Sequence, residues 1–163
     1  MSTENQTPNP TTTDGVHAPR FDVYARLGAP AAALVRVEER IELDTTIKEL
    51  VKLRASQING CAFCLDMHWT DAKAQGESDV RLAQLSAYAE SPYFDARERA
   101  ALALTDAVTL LSETNVPDGV WAAAAEQFAD DELANLVMQI ATINAWNRIA
   151  VTARSVPASW NAA

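Results

Sequence analysis

The sequence has few residues that interrupt helices and no apolar run long enough to cross a membrane. Only five glycines occur in its 163 residues, and no stretch alternates apolar and polar side chains for long enough to predict a β-sheet. No segment approaches the roughly 20 apolar residues that span a bilayer. The sequence therefore predicts an all-α protein that does not use a membrane as its partner.

Positive charge is also scarce. The chain has 13 Lys and Arg residues against 22 Asp and Glu residues, which gives a formal net charge of −9. So acidic a chain repels phosphate backbones, and no local cluster of Lys and Arg offsets this repulsion. We therefore do not expect nucleic acid as a partner, and the acidic surface is explained most simply by solubility.

The first 17 residues differ in composition from the rest of the chain. They are rich in Thr, Asn, Pro and Ser and have no large apolar side chain before Val16, which predicts a disordered tail at 1–17 and a single helical domain at 18–163. The N-terminus has neither a basic segment nor the apolar stretch of a secretion signal, so we expect a cytoplasmic protein.

Residues typical of helix ends divide the domain into about seven helices. Asp44 and Asn59-Gly60 are a typical start and stop around one helix, and Asp95 with Glu98 forms the pattern of a capping box. The predicted helices cover 30–40, 45–58, 61–75, a short segment after 78, 95–112, 117–128 and 131–154. Short connections between these helices predict one helical bundle.

The only two cysteines lie close together, at Cys61 and Cys64. With His68 they follow an i, i+3, i+7 spacing, which places all three on one stripe of a helix. The break at Asn59-Gly60 puts the cysteines in the first helical turn, where free N–H groups and the positive helix end favour a thiolate. In a reducing cytosol such a pair is more typical of redox or metal chemistry than of a structural disulfide.

His68 and Glu49 are the candidate acid–base residues. His68 follows Cys64 by one turn, so its imidazole can take the thiol proton and then stabilise the thiolate. If a hairpin forms around residues 59–60, Glu49 returns alongside His68 and can orient it or pass a proton. This set suits peroxide reduction, in which one thiolate becomes a sulfenic acid, the second cysteine condenses with it to a disulfide, and a thiol donor reduces the disulfide.

These residues strongly resemble the AhpD-like alkylhydroperoxidase family, within the carboxymuconolactone decarboxylase superfamily. The family pattern is a Glu, eleven residues, Cys-x-x-Cys, three residues and a His. Glu49, Cys61-Ala-Phe-Cys64 and His68 match this pattern. The segment Asn144-Ala-Trp-Asn-Arg148 is also similar to the family, and the resemblance covers roughly residues 20–155.

The resemblance implies a peroxidase that reduces hydroperoxides with thiol chemistry and needs no cofactor or metal. It implies that Cys64 is the peroxidatic cysteine, that Cys61 is the resolving cysteine, and that Glu49 and His68 form a proton relay. It further implies an all-α homo-oligomer, a trimer or hexamer, and a thiol or dithiol reductant that the sequence does not identify. The best-studied branch has a second histidine between the cysteines, where this chain has Phe63, so the relay is shorter here.

Other interpretations of the same residues stay open. The cysteines can be two inert thiols that pack as small apolar side chains. Two sulfurs, an imidazole and Glu49 are also ligand types for zinc, although zinc sites usually draw on two separated ligand pairs. A decarboxylase or lactone enzyme of the same superfamily would not need the cysteine pair. A non-enzymatic redox sensor would oxidise its cysteines without turnover.

Overall fold

The computed structural model describes residues 18–161, and all regular secondary structure in that range is helical. This confirms the predicted all-α fold. The α-helices are α1 (Val23–Leu27), α2 (Ala29–Arg40), α3 (Thr45–Asn59), α4 (Ala62–Ala74), α5 (Asp79–Ala83), α6 (Ala96–Thr109), α7 (Leu111–Thr114), α8 (Asp118–Gln127) and α9 (Asp130–Ala153). Two short 3₁₀-helices cover Leu85–Ala87 and Ala158–Asn161.

The prediction of about seven helices was too low, since the described residues form nine α-helices. The seven predicted segments correspond to α2 to α6, α8 and α9. The backbone at Leu110 (φ −96°, ψ 33°) interrupts the predicted helix 95–112 and separates α7 from α6. Helix α1 has five residues and none is buried, so no apolar periodicity marks it. The tail predicted at 1–17 lies outside the described residues.

Helix α3 lies at the centre of the bundle, in contact with α4, α6 and α9. One buried apolar cluster joins it to α6, α8 and α9, and consists of Ile47, Val51, Ala101, Leu104, Ala124, Phe128, Leu133, Leu136 and Ile140. A second cluster joins it to the segments between α4 and α6, and consists of Leu50, Leu53, Ala72, Leu82, Leu85, Phe94 and Leu102. Because α3 is packed on several sides, its charged residues Glu49 and Lys52 are buried as well.

The turn between α3 and α4 sets the position of the cysteines. The Asp44 side chain caps the start of α3 by accepting a hydrogen bond from the Ile47 amide at 3.1 Å. Gly60 ends α3 in the left-handed region at φ 64°, where glycine has no steric penalty. The chain then reverses, and α4 packs along α3. In the described part of the chain, no helix combines the length and apolar character needed to cross a membrane.

Candidate active site

Cys61 and Cys64 stand at the start of α4 and are joined by a disulfide. The Cys61 amide donates a hydrogen bond to the Ser56 carbonyl of α3 at 3.0 Å. Cys61 is the N-cap of α4, and its Sγ accepts a hydrogen bond from the Cys64 amide at 3.3 Å. Both side chains are buried. The first helical turn therefore directs a backbone N–H towards Cys61 Sγ, and both cysteines lie at the positive end of α4, an environment that stabilises a thiolate after reduction.

His68 and Glu49 meet across the α3–α4 hairpin. His68 Nδ1 lies 3.1 Å from Glu49 Oε2, and both side chains are buried. When Nδ1 carries the proton and donates to Glu49, Nε2 is left as the basic nitrogen. Burial raises the pKa of Glu49, but hydrogen bonds from His68 and Lys52 and their charges lower that pKa below its usual value. Glu49 is therefore a carboxylate at neutral pH and orients the imidazole.

Three residues that the sequence analysis did not select extend this pair into a buried polar chain. Lys52 Nζ donates to Glu49 Oε1 at 2.6 Å and lies 3.6 Å from Glu38 Oε1 on α2. Gln139 on α9 donates from Nε2 to Glu38 Oε2 at 3.0 Å. Lys52 follows Glu49 by three residues, so the i, i+3 spacing was a signal for this ion pair. Glu38 and Gln139 come from distant segments, and no local pattern points to them.

A cavity of about 260 Å³ reaches Cys64. Of the two cysteines, only Cys64 belongs to its lining, where His68 and Lys52 also lie. The remaining lining residues are mostly apolar or aromatic: Tyr24, Val35, Glu38, Phe63, Met67, Asp71, Ile143, Trp146 and Ala150. A small apolar organic molecule therefore fits against Cys64 and within reach of the polar chain.

The two asparagines of the segment 144–148 have a structural role. Asn59 Nδ2, in the last turn of α3, donates to Asn144 Oδ1 and Asn147 Oδ1 of α9, both at 2.9 Å. Asn147 Nδ2 donates to Ser56 Oγ at 3.0 Å, and Ser56 carries the carbonyl that binds the Cys61 amide. These bonds fix the end of α3, and with it the turn that presents the cysteines. The similarity of segment 144–148 to the family was the only sequence signal for this network.

The zinc interpretation loses its sulfur ligands in this state, because the disulfide joins both sulfur atoms to each other. In residues 18–161, the ligand-type atoms of Glu49, His68 and Asp71 do lie within 4.8 Å of one another. The Glu49 and His68 atoms in this group are hydrogen-bonded to each other, and the Asp71 side chain is half exposed. The hydrogen bond between the Glu49 carboxylate and the His68 imidazole explains why these ligand-type atoms lie close together.

Comparisons with known proteins show the family and the fold of this chain. The model of the carboxymuconolactone decarboxylase family matches residues 22–107. The uncharacterized protein YdfG of Bacillus subtilis (strain 168) is 40% identical over 109 residues, which cover 67% of this chain and 74% of that protein. A structure from Agrobacterium tumefaciens, of a protein of unknown function proposed to be the antioxidant defence protein AhpD, is 36% identical. Its TM-score is 0.83, and the match covers 86% of this chain and 98% of that chain.

A second structure shares the fold at lower identity. The debrominase Bmp8 is 18% identical with a TM-score of 0.70, over 81% of this chain and 73% of that chain. At that identity the likeness shows the fold alone. The all-α fold with a Cys-x-x-Cys pair defines the AhpD-like class, and the chain belongs to the carboxymuconolactone decarboxylase family.

Proposed function

We propose that the protein is a thiol-dependent peroxidase that reduces organic hydroperoxides. One observation carries the proposal: Cys64 lies in the wall of a largely apolar cavity that His68 also lines, and the buried Glu49 holds that histidine. A nucleophile, a base and a pocket for an organic substrate therefore meet at one point.

The reaction starts from the dithiol. His68 takes the proton of the Cys64 thiol, and the thiolate attacks the terminal oxygen of the hydroperoxide. The S–O bond forms while the O–O bond breaks, and the bonding electron pair leaves with the alkoxide, which takes up a proton to become an alcohol. Cys64 is then a sulfenic acid.

Cys61 completes the cycle as the resolving residue. Its sulfur attacks the Cys64 sulfur, the sulfenic oxygen leaves as water with the thiol proton, and the disulfide forms. This product is the state that the structure holds. A thiol or dithiol donor then reduces the disulfide by two exchange steps. In sum, one hydroperoxide and two donor thiols give an alcohol, water and an oxidised donor.

The cavity favours organic over inorganic peroxides. The rings of Tyr24 and Trp146 approach with centroids 6.3 Å apart, and Phe63, which also lines the cavity, packs against the cysteine pair. Burial of an apolar substituent between these groups contributes about 25 cal/mol per Å² of contact. We also propose, from the resemblance in the sequence, that the enzyme is a cytoplasmic homo-oligomer, a trimer or hexamer.

The experiment that tests the function is a single turnover of the reduced, metal-free protein with a limiting amount of cumene hydroperoxide. We expect one alcohol to form for every two thiols lost, with a Cys61–Cys64 disulfide found by mass spectrometry. Cys64→Ser should abolish the reaction, whereas Cys61→Ser should stop at a sulfenic acid that dimedone traps on Cys64.

Three results would contradict the proposal. Full activity of Cys64→Ser would show that the roles of the cysteines are wrong. If the thiols of the wild type never oxidise, the family's decarboxylase chemistry or an inert cysteine pair would explain the site better than a peroxidase. Stoichiometric oxidation that no dithiol can recycle would indicate a redox sensor instead of an enzyme.

A further inference from the structure

We propose that Lys52 is a further catalytic residue, the acid that gives a proton to the oxygen leaving the substrate. The inference rests on the proposed peroxidase function, in which a nucleophile and a base are named but no residue is assigned as the proton donor for that oxygen. An alkoxide leaves slowly unless it is protonated as the O–O bond breaks. A positioned acid at this point therefore has a large effect on the rate.

The position of Lys52 fits this role. It lines the same cavity as Cys64 and His68, although only 8% of the residue is exposed. It is the single Lys or Arg among the residues that line this cavity. A lysine ammonium is ordinarily protonated at neutral pH and has three N–H donors. In residues 18–161 its carboxylate partners are Glu49 and Glu38, which leaves one N–H for a substrate oxygen.

The proton that Lys52 gives up can be replaced from inside the site. His68 Nδ1 is 3.1 Å from one oxygen of Glu49, and Lys52 Nζ is 2.6 Å from the other. His68 takes the Cys64 proton on Nε2, and its Nδ1 proton can pass through Glu49 to Lys52 as Lys52 transfers its own proton to the alkoxide. In net terms one proton moves from the thiol to the alcohol, and the three side chains keep their total number of protons while His68 is left as the other neutral tautomer.

Glu38 and Gln139 act as positioning residues for this acid. Glu38 faces Lys52 from α2, and Gln139 on α9 donates to the second oxygen of Glu38 at 3.0 Å. Gln139 is fully buried. Three helices therefore hold the ammonium, and a buried lysine is stable only when it is paired in this way.

Substrates that differ in leaving group separate acid catalysis from a structural role. Cumene hydroperoxide releases an alkoxide, which needs a proton. The peracid 3-chloroperoxybenzoic acid releases a carboxylate, which does not. The measured quantity is the ratio of the peracid rate to the cumene hydroperoxide rate, for oxidation of Cys64 in the pre-reduced protein. General damage to the site slows both reactions and leaves this ratio unchanged.

Two variants and one control complete the design. Lys52→Met removes the acid, and the ratio should rise by about 100-fold. Lys52→Arg keeps the charge and both ion pairs but does not release its proton, so the ratio should still rise by at least about 10-fold in a protein that folds normally. Lys48→Met makes the same change of charge on α3 at a residue outside the cavity lining, and it should leave the ratio unaltered.

An unchanged ratio in Lys52→Arg, or equal losses with both substrates, would overturn the assignment and leave Lys52 as a partner of Glu49 only. Failure of the proposed function itself looks different. In that case the wild-type protein would react with cumene hydroperoxide no faster than a free small thiol does, and the acid assignment would fall with it.

Discussion

Replacement of His68 by Ala tests the electrostatic argument at the candidate site. His68 follows Cys64 by one turn of α4, and residues four apart on a helix have side chains roughly 6 Å apart. Two unit charges at about 6 Å interact by roughly 1–3 kcal/mol at an effective dielectric constant of about 20–40. Because 1.36 kcal/mol corresponds to one pKa unit, the pKa of the Cys64 thiol should rise by about 1–2 units in His68→Ala.

The assay is the pH dependence of iodoacetamide alkylation of the reduced protein, with modification of Cys64 followed by mass spectrometry. The helix terminus still favours the thiolate in the variant, so the midpoint should move without disappearing. Asp71→Asn is the matched control, because it removes an exposed carboxylate 3.8 Å from His68 and keeps the imidazole and Glu49. An unchanged midpoint in His68→Ala would remove the histidine from the activation of Cys64.

Three further predictions address stability and selectivity. Glu49→Gln should lower the melting temperature at neutral pH, and the difference from the wild type should shrink as the pH falls below 4.5. The reason is that a carboxyl of lowered pKa stabilises the fold only while it is ionised. Thermal melts across this pH range measure the difference, and a difference that does not change with pH would contradict the reasoning. Asn147→Leu should reduce the free energy of unfolding by about 1–3 kcal/mol, since it removes the two hydrogen bonds that Asn147 makes with Asn59 and Ser56 near the cysteine turn; urea denaturation provides the value. Trp146→Ala should reduce the preference for cumene hydroperoxide over hydrogen peroxide by about 10-fold in kcat/KM, as the cavity loses an apolar wall.

Local patterns in the sequence were enough to predict most of the fold. Asp44 and Gly60 bound α3 as their residue types suggest, and Asp95 forms the expected capping box with Glu98. The break at Leu110 was not predictable, because neither Gly nor Pro marks it. Such interruptions depend on how a helix packs against its neighbours, which a local pattern does not contain.

Part of the candidate site was predictable from local patterns in the sequence, and part was not. The helical spacing of Cys61, Cys64 and His68 placed them on one stripe, and the hairpin around residues 59–60 brought Glu49 towards the histidine. Lys52 was missed because a lysine on a helix is normally solvated, and its burial arises only when α4 and α9 pack against α3 and Glu38 of α2 approaches its ammonium. Long-range packing, which no spacing rule reports, therefore created the polar chain behind His68.

The cavity lining can be compared with the family pattern at Phe63, where the best-studied branch has a second histidine. Where the best-studied branch has an imidazole between the cysteines, this chain has Phe63, which lines the cavity with an apolar ring. The polar side chains that line the cavity come instead from α2, α3 and α4, on residues outside the Cys-x-x-Cys segment. The structure thus places a lysine in the wall of the cavity that Cys64 also lines.

The most direct test of the central claim is steady-state consumption of cumene hydroperoxide by the reduced, metal-free protein, with a dithiol to recycle it and a count of free thiols during the reaction. We predict many turnovers per protein molecule, with both cysteines cycling between thiol and disulfide. Cys64→Ser should consume no hydroperoxide. Hydroperoxide loss that is no faster than with the dithiol alone, or equal turnover by Cys64→Ser, would contradict the claim.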